Sequence, residues 1–179
     1  MDDDFKILGL DDDEEEIKEL DEIEPVEEVA EDEDEIIEEE LTINENMDEE
    51  LKKELEKVIT KAMLVRENAH HNHFKVGAVL KMKSGNLYTG CNINNQDLLS
   101  ICAERVAFAK AITNGEDDFE YILIVGGPVD GFLEKCLPCG YCRQFMSEFV
   151  DKNFKIYVYY NNKIEEYSIE ELLPEAFVY

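Results

Sequence analysis

The sequence has no tryptophan, three histidines, and no apolar run near the roughly 20 residues that a membrane-spanning helix needs. Positive charge is scarce: 17 Lys and Arg stand against 45 Asp and Glu, for a net charge of −28. A chain so poor in cations offers no track for phosphates, which argues against direct binding of nucleic acid. The amino terminus is acidic where a secretory signal is basic. Five cysteines, an odd number, suit thiol or metal chemistry in a reducing compartment better than a disulfide framework. The expectation is a cytoplasmic protein with no membrane partner.

The charge is unevenly spread. Residues 1 to 46 hold 24 Asp and Glu against two Lys, about −22 of the total. Runs such as DDDEEEI and AEDEDEIIEEE repel themselves and contain too few large apolar groups to offset backbone ordering. Residues 1 to 46 are therefore expected to be a largely disordered, low-complexity acidic tail, with a short helical piece at 36 to 41. Such a tail suits a basic partner; its plainer reading is a solubilising extension. Residues 47 to 179 remain as one domain.

Within that domain, Leu51, Leu55, Val58, Ile59, Ala62, Met63 and Val65 recur at three-and-four spacing, which predicts an amphipathic helix over 48 to 68. Two strand-like runs at 74 to 82 and 86 to 91 flank Lys83, Ser84 and Gly85, as in a hairpin. A loop at 92 to 100 leads to a second helix over 101 to 114, closed by Gly115. The apolar run 121 to 125 reads as a strand buried on both faces, stopped by the Gly-Gly-Pro at 126 to 128. A third helix follows from 139 or 140 to 150, then strands at 154 to 160 and 163 to 167 and a helical turn at 169 to 172. That order indicates an α/β domain with a mixed sheet and helices packed on its faces.

The chemistry concentrates in SICAERVAFAKAITNG (100 to 115) and LPCGYCRQF (137 to 145). Cys139 and Cys142 lie three apart at a predicted helix start, where unpaired backbone donors favour thiolates. Cys102, at a second helix start, is the natural third ligand, and three sulfurs leave the fourth position of a zinc ion open, as catalytic sites do. Glu104, two residues after a ligand, can approach that position without filling it and move protons there. Three thiolates around Zn²⁺ leave a net −1, so Arg105 and Arg143 are candidate donors to the sulfurs. A structural zinc, an iron–sulfur cluster or a redox pair built on Cys136, Cys139 and Cys142 is the competing reading. None of these explains Cys102 and Glu104, and Cys136 is expected not to be a ligand. Cys-x-Glu followed by Pro-Cys-x-x-Cys is the known zinc deaminase signature, here with cysteine in place of its histidine.

With FKVGAVL at 74 to 80, TGCNINN at 89 to 95, CAERVAFAKAI at 102 to 112, PCGYCRQ at 138 to 144 and LLPEAF at 172 to 177, the core resembles the small homotetrameric cytidine deaminases. The resemblance implies a five-stranded mixed sheet between helices and a nucleoside substrate whose cytosine C4 exchanges its amino group for oxygen. It implies one zinc per chain held by Cys102, Cys139 and Cys142, with Glu104 as proton shuttle. It also implies that the backbone at Ala103 holds the pyrimidine edge, that Phe74 packs on the base, and that Asn92 meets the ribose. Phe177 matches a residue lent to a neighbouring subunit's site, so a tetramer with shared active centres is expected.

Three departures from the family lie at the sugar end. Asn94 stands where the family has a glutamate that accepts from the 3′-hydroxyl, and the loop from Cys91 to Cys102 is one residue shorter. ENAHHNHF replaces a tyrosine-containing proline turn, and its His70, His71 and His73 read as a polar loop near the mouth. The leading expectation is deamination of cytidine or deoxycytidine. A second is the same reaction on another cytosine nucleoside such as an antibiotic. A third, of another class, is a catalytically silent zinc-stabilised interaction module.

Overall fold

Asp48 opens the first helix by accepting the Glu50 N–H at 3.3 Å, and α1 runs over Glu49–Glu67. The computed structural model describes residues 47–70, 73–95 and 99–177; the expected acidic tail, its helical piece and His71 lie outside these residues. After α1 come β1 (Phe74–Met82), β2 (Leu87–Cys91), α2 (Ala103–Thr113), β3 (Phe119–Pro128), α3 (Gly140–Ser147), β4 (Lys155–Tyr160), β5 (Lys163–Ser168) and α4 (Ile169–Leu172). The strands form one sheet in the order β2-β1-β3-β4-β5. Among the described strands only β3 and β4 pair in parallel, the pair that needs a crossover, and α3 lies in it.

Strand alternation divides the interior into two layers of packing. On one face Val79, Leu123 and Val125 meet Leu55, Val58 and Ala62 of α1. On the other Ala78, Leu80, Ile122 and Ile124 meet Ala107, Phe108 and Met146 from α2 and α3. Phe108 anchors that second layer, stacked on Phe119 at 4.9 Å between ring centroids and edge-on to Phe145 and Phe154 at 6.1 Å. The three-layer α/β arrangement is the one the element order predicts.

Two boundaries differ by more than two residues from the sequence expectation. β3 does not stop at the Gly-Gly-Pro: Gly126, Gly127 and Pro128 pair with Val76, Lys75 and Phe74 of β1. The glycines serve close approach instead of a turn, since a Cβ on Gly126 would stand 2.6 Å from the Cys136 sulfur. The buried guanidinium of Arg66 holds this end of the sheet, donating from Nη2 to the carbonyls of Gly127 and Pro128. α3 ends at Ser147, short of 150, and the Phe149 and Val150 amides turn back onto the Met146 carbonyl.

Gly90 of β2 brings α2 against the sheet. A Cβ there would lie 2.2 Å from the Ala103 carbonyl oxygen and 2.7 Å from the Ala107 nitrogen, both backbone atoms with nowhere to go. Gly90→Ala is therefore expected to destabilise the fold by about 1 to 3 kcal/mol, read as a lower urea midpoint at unchanged m-value.

Candidate active site

Two helices begin on a cysteine. Cys102 is the N-cap of α2 and Cys139 that of α3; both have extended backbone, and neither side chain caps its helix. Cys142, buried on the first turn of α3, turns its sulfur to the same point. The three sulfurs lie within 4.8 Å of one another, with Cys102 and Cys139 at 3.8 Å. Thiolates about 2.3 Å from a tetrahedral zinc stand about 3.8 Å apart, so this spacing fits the ion, and the soft donor set suits it. Cys102, Cys139 and Cys142 are positioned to bind a metal ion.

Cys136 is outside this trio. Its sulfur lies against Gly126, and burial pushes its thiol up to about 12, which keeps it neutral. Cys102 is held well below the ordinary thiol range, first by the Cys142 thiol donating to it and then by Arg105. Cys142, as that donor, is correspondingly raised. Arg105 donates from Nη2 to the Ser100 carbonyl at 3.0 Å and to the Cys102 sulfur at 3.9 Å. Arg143 acts differently: its Nε donates to the Pro138 carbonyl at 2.7 Å and its Nη1 to the Leu172 carbonyl at 3.0 Å. It braces the backbone that leads into Cys139, and its hydrogen bonds go to carbonyls instead of sulfurs.

Glu104 is 5 % exposed in the wall of a cavity of about 220 Å³. Burial pushes its carboxyl up to about 7, and the Cys102 charge adds to the rise. Phe74, Val76, Ile101 and Leu137 supply the apolar lining; Asn92, Asn94, Ser100 and the start of α2 at Cys102 and Ala103 supply the polar one. A cavity with a buried carboxyl, convergent sulfurs and an aromatic wall is equipped for proton transfer on a flat polar ring. A family model for the cytidine and deoxycytidylate deaminase zinc-binding region matches residues 52–158. The chain belongs to that family.

It is 37 % identical over 131 residues to a cytidine deaminase of Sporosarcina psychrophila, covering 69 % of this chain and 91 % of the relative. It is 34 % identical over 117 residues to a blasticidin-S deaminase of Bacillus cereus, covering 63 % and 80 %. Among solved structures, a Burkholderia pseudomallei cytidine deaminase is 33 % identical and superposes with a TM-score of 0.60 over 68 % of this chain and 98 % of its own. The five-stranded mixed sheet is that of the deaminase family, and zinc is the metal of its matching region.

The cavity brings together Phe74, Asn92, Asn94, Cys102, Ala103, Glu104 and Cys139. Asn92 is buried, and its amide is engaged within the protein. Its Oδ1 accepts the Val76 N–H at 2.8 Å, and its Nδ2 donates to the Phe74 carbonyl at 3.0 Å and to Asn94 Oδ1 at 3.3 Å. Asn94 is fastened by its backbone: its N–H donates to the His70 carbonyl and its own carbonyl meets His70 Nδ1, each at 2.9 Å. Phe177 is 62 % exposed and lies away from the cavity lining, its backbone held on both sides by the Gln144 amide. Val76 and Leu137 were not anticipated. Strand alternation carries a signal for Val76, two residues after Phe74 on one face of β1; Leu137 carries none beyond its place beside Pro138.

Proposed function

We propose that the chain catalyses hydrolytic deamination of cytidine and deoxycytidine to uridine and deoxyuridine with release of ammonia, serving the free nucleoside pool. The observation that carries this reading is Glu104, a buried carboxyl beside three convergent cysteine sulfurs at the wall of a cavity. A purely structural metal site, as in a silent interaction module, has no use for that carboxyl. Cys102, Cys139 and Cys142 would hold a zinc ion, which would supply a Lewis acid for activating water. Glu104 takes one proton from the attacking water and gives it to ring N3 as the C4–O bond forms, then carries the remaining hydroxyl proton to the amino nitrogen as the C4–N bond breaks, leaving the C4 carbonyl and ammonia. The Ala103 N–H, on the first turn of α2 where helix donors lack intrahelical partners, holds the pyrimidine edge, and the Phe74 ring packs on the base. Residues 47–179 are the catalytic domain in this reading. The assembly is a cytoplasmic homotetramer in which Phe177 enters a neighbour's site.

Ammonia release by the purified full chain, measured on cytidine, deoxycytidine, cytosine, cytidine monophosphate and blasticidin S, tests the assignment. Cytidine and deoxycytidine are expected to give the highest kcat/KM. Absence of turnover on every cytosine nucleoside, with zinc bound, overturns it.

A second reading, deamination of a modified cytosine nucleoside, is favoured by Asn94 in the cavity wall and by the likeness to the Bacillus cereus blasticidin-S deaminase. A neutral amide lacks the charge-assisted acceptance that a carboxylate offers a sugar hydroxyl, and such bonds exceed neutral ones by roughly 1 to 2 kcal/mol. Asn94→Glu is therefore expected to raise kcat/KM for cytidine about tenfold and to leave an analogue without the 3′-hydroxyl unaffected. Equal gains on both would remove residue 94 from sugar recognition.

A further inference from the structure

Tyr141 sits between two ligand positions, second in α3 after Cys139 and before Cys142, yet its ring does not enter the core. It is 64 % exposed and packs on a residue of another helix, with the Arg105 guanidinium carbon 4.2 Å from the ring centroid. Arg105 is the residue that reaches the Cys102 sulfur, at 3.9 Å. Its hydrogen bonds alone do not fix the guanidinium: those to the Ser100 carbonyl and the Cys102 sulfur both come from Nη2, and Nε is buried without a partner among the described residues. A planar cation fastened at one nitrogen can swing about it, and the aromatic face is what closes off that motion.

We propose that Tyr141 is a positioning residue that holds the Arg105 guanidinium on the Cys102 sulfur, and so limits how strongly that sulfur donates to the metal. The inference rests on the zinc site proposed above. Hydrogen bonds to a ligating sulfur draw off its electron density, and partners of this kind tune a metal as the ligands themselves do. With the ring removed, the guanidinium turns toward solvent and Cys102 becomes the richer donor. A zinc ion held there would then be a weaker Lewis acid, while the cavity wall is untouched, because Tyr141 is not part of it. The loss falls on kcat and not on KM.

The test is the sulfur-to-cobalt charge-transfer band of the full chain loaded with Co²⁺ in place of zinc, recorded for the parent and for Tyr141→Ala, Tyr141→Leu and Tyr141→Phe, alongside cytidine kinetics of the zinc forms. Leucine keeps bulk without a π face, and phenylalanine keeps the face. The expected result is a band moved to lower energy, with kcat down about two- to fivefold, in the alanine and leucine variants. KM should stay within about twofold, and the phenylalanine variant should match the parent in band and rate. An unmoved band in metal-loaded Tyr141→Leu overturns the inference, as does loss of the parent band in Tyr141→Phe. A parent with no such band overturns the metal site itself, and the inference with it.

Discussion

Glu104→Gln is expected to lower kcat for cytidine by about 10² to 10⁴ while leaving zinc bound and the fold intact. The amide matches the carboxyl in shape and fits the same buried space at the start of α2, so packing against the sheet does not change. What it loses is the ability to accept a proton from water and hand it to the leaving nitrogen. The metal-free protein gives a second readout. The Glu104 carboxyl has an ordinary value of 4.5 and is raised to about 7 in the fold. A raised carboxyl contributes stability that is complete below 4.5 and is lost as pH climbs toward 7. A difference of that size corresponds to about 3 kcal/mol. Across that range the parent's urea midpoint should fall relative to that of the glutamine variant; the lowered Cys102 thiol, common to both proteins, has the opposite slope and cancels in the comparison. Near-normal turnover with full metal would take Glu104 out of the chemistry.

Removing a ligand should be more damaging still. Cys102→Ala and Cys139→Ala each leave two sulfurs where the geometry fits three around one ion. Zinc is expected to fall from about one per chain to a small fraction, and turnover with it, measured by atomic absorption on dialysed protein and by ammonia release. Cys136→Ala is the contrasting variant: its neutral thiol stands outside the trio, so metal content should not change. Zinc loss on removing Cys136, or full zinc in Cys102→Ala, would overturn the ligand set.

The elements were largely legible because their signals are local. The spacing of Leu55, Val58, Ile59 and Ala62 marks the buried stripe of α1, and a pair of cysteines at helix starts marks the sulfur centre. Where reading failed, the deciding partner was distant in sequence. Gly126 and Gly127 look like a stop until β1 is laid beside them. Arg143 looks like a donor to sulfur until the Leu172 carbonyl arrives from 29 residues away. The Tyr141 ring on Arg105 joins two helices and leaves no periodic trace in either. Asn92 adds a contact that no local signal announced: its amide ties Val76, Phe74 and Asn94 together while the residue lines the cavity.

The spacing of the sulfurs along the chain has a thermodynamic consequence. Cys102 and Cys139 are 37 residues apart, at the starts of two helices with the whole of β3 between them in the chain. An unfolded chain holds no such preassembled trio, so the ion binds the native state almost alone, and its binding free energy adds to that of folding. Above the dissociation constant, each tenfold rise in free zinc then adds about 1.4 kcal/mol to global stability. Metal supply therefore acts on this protein twice, filling the centre and setting what fraction of chains is folded to receive it.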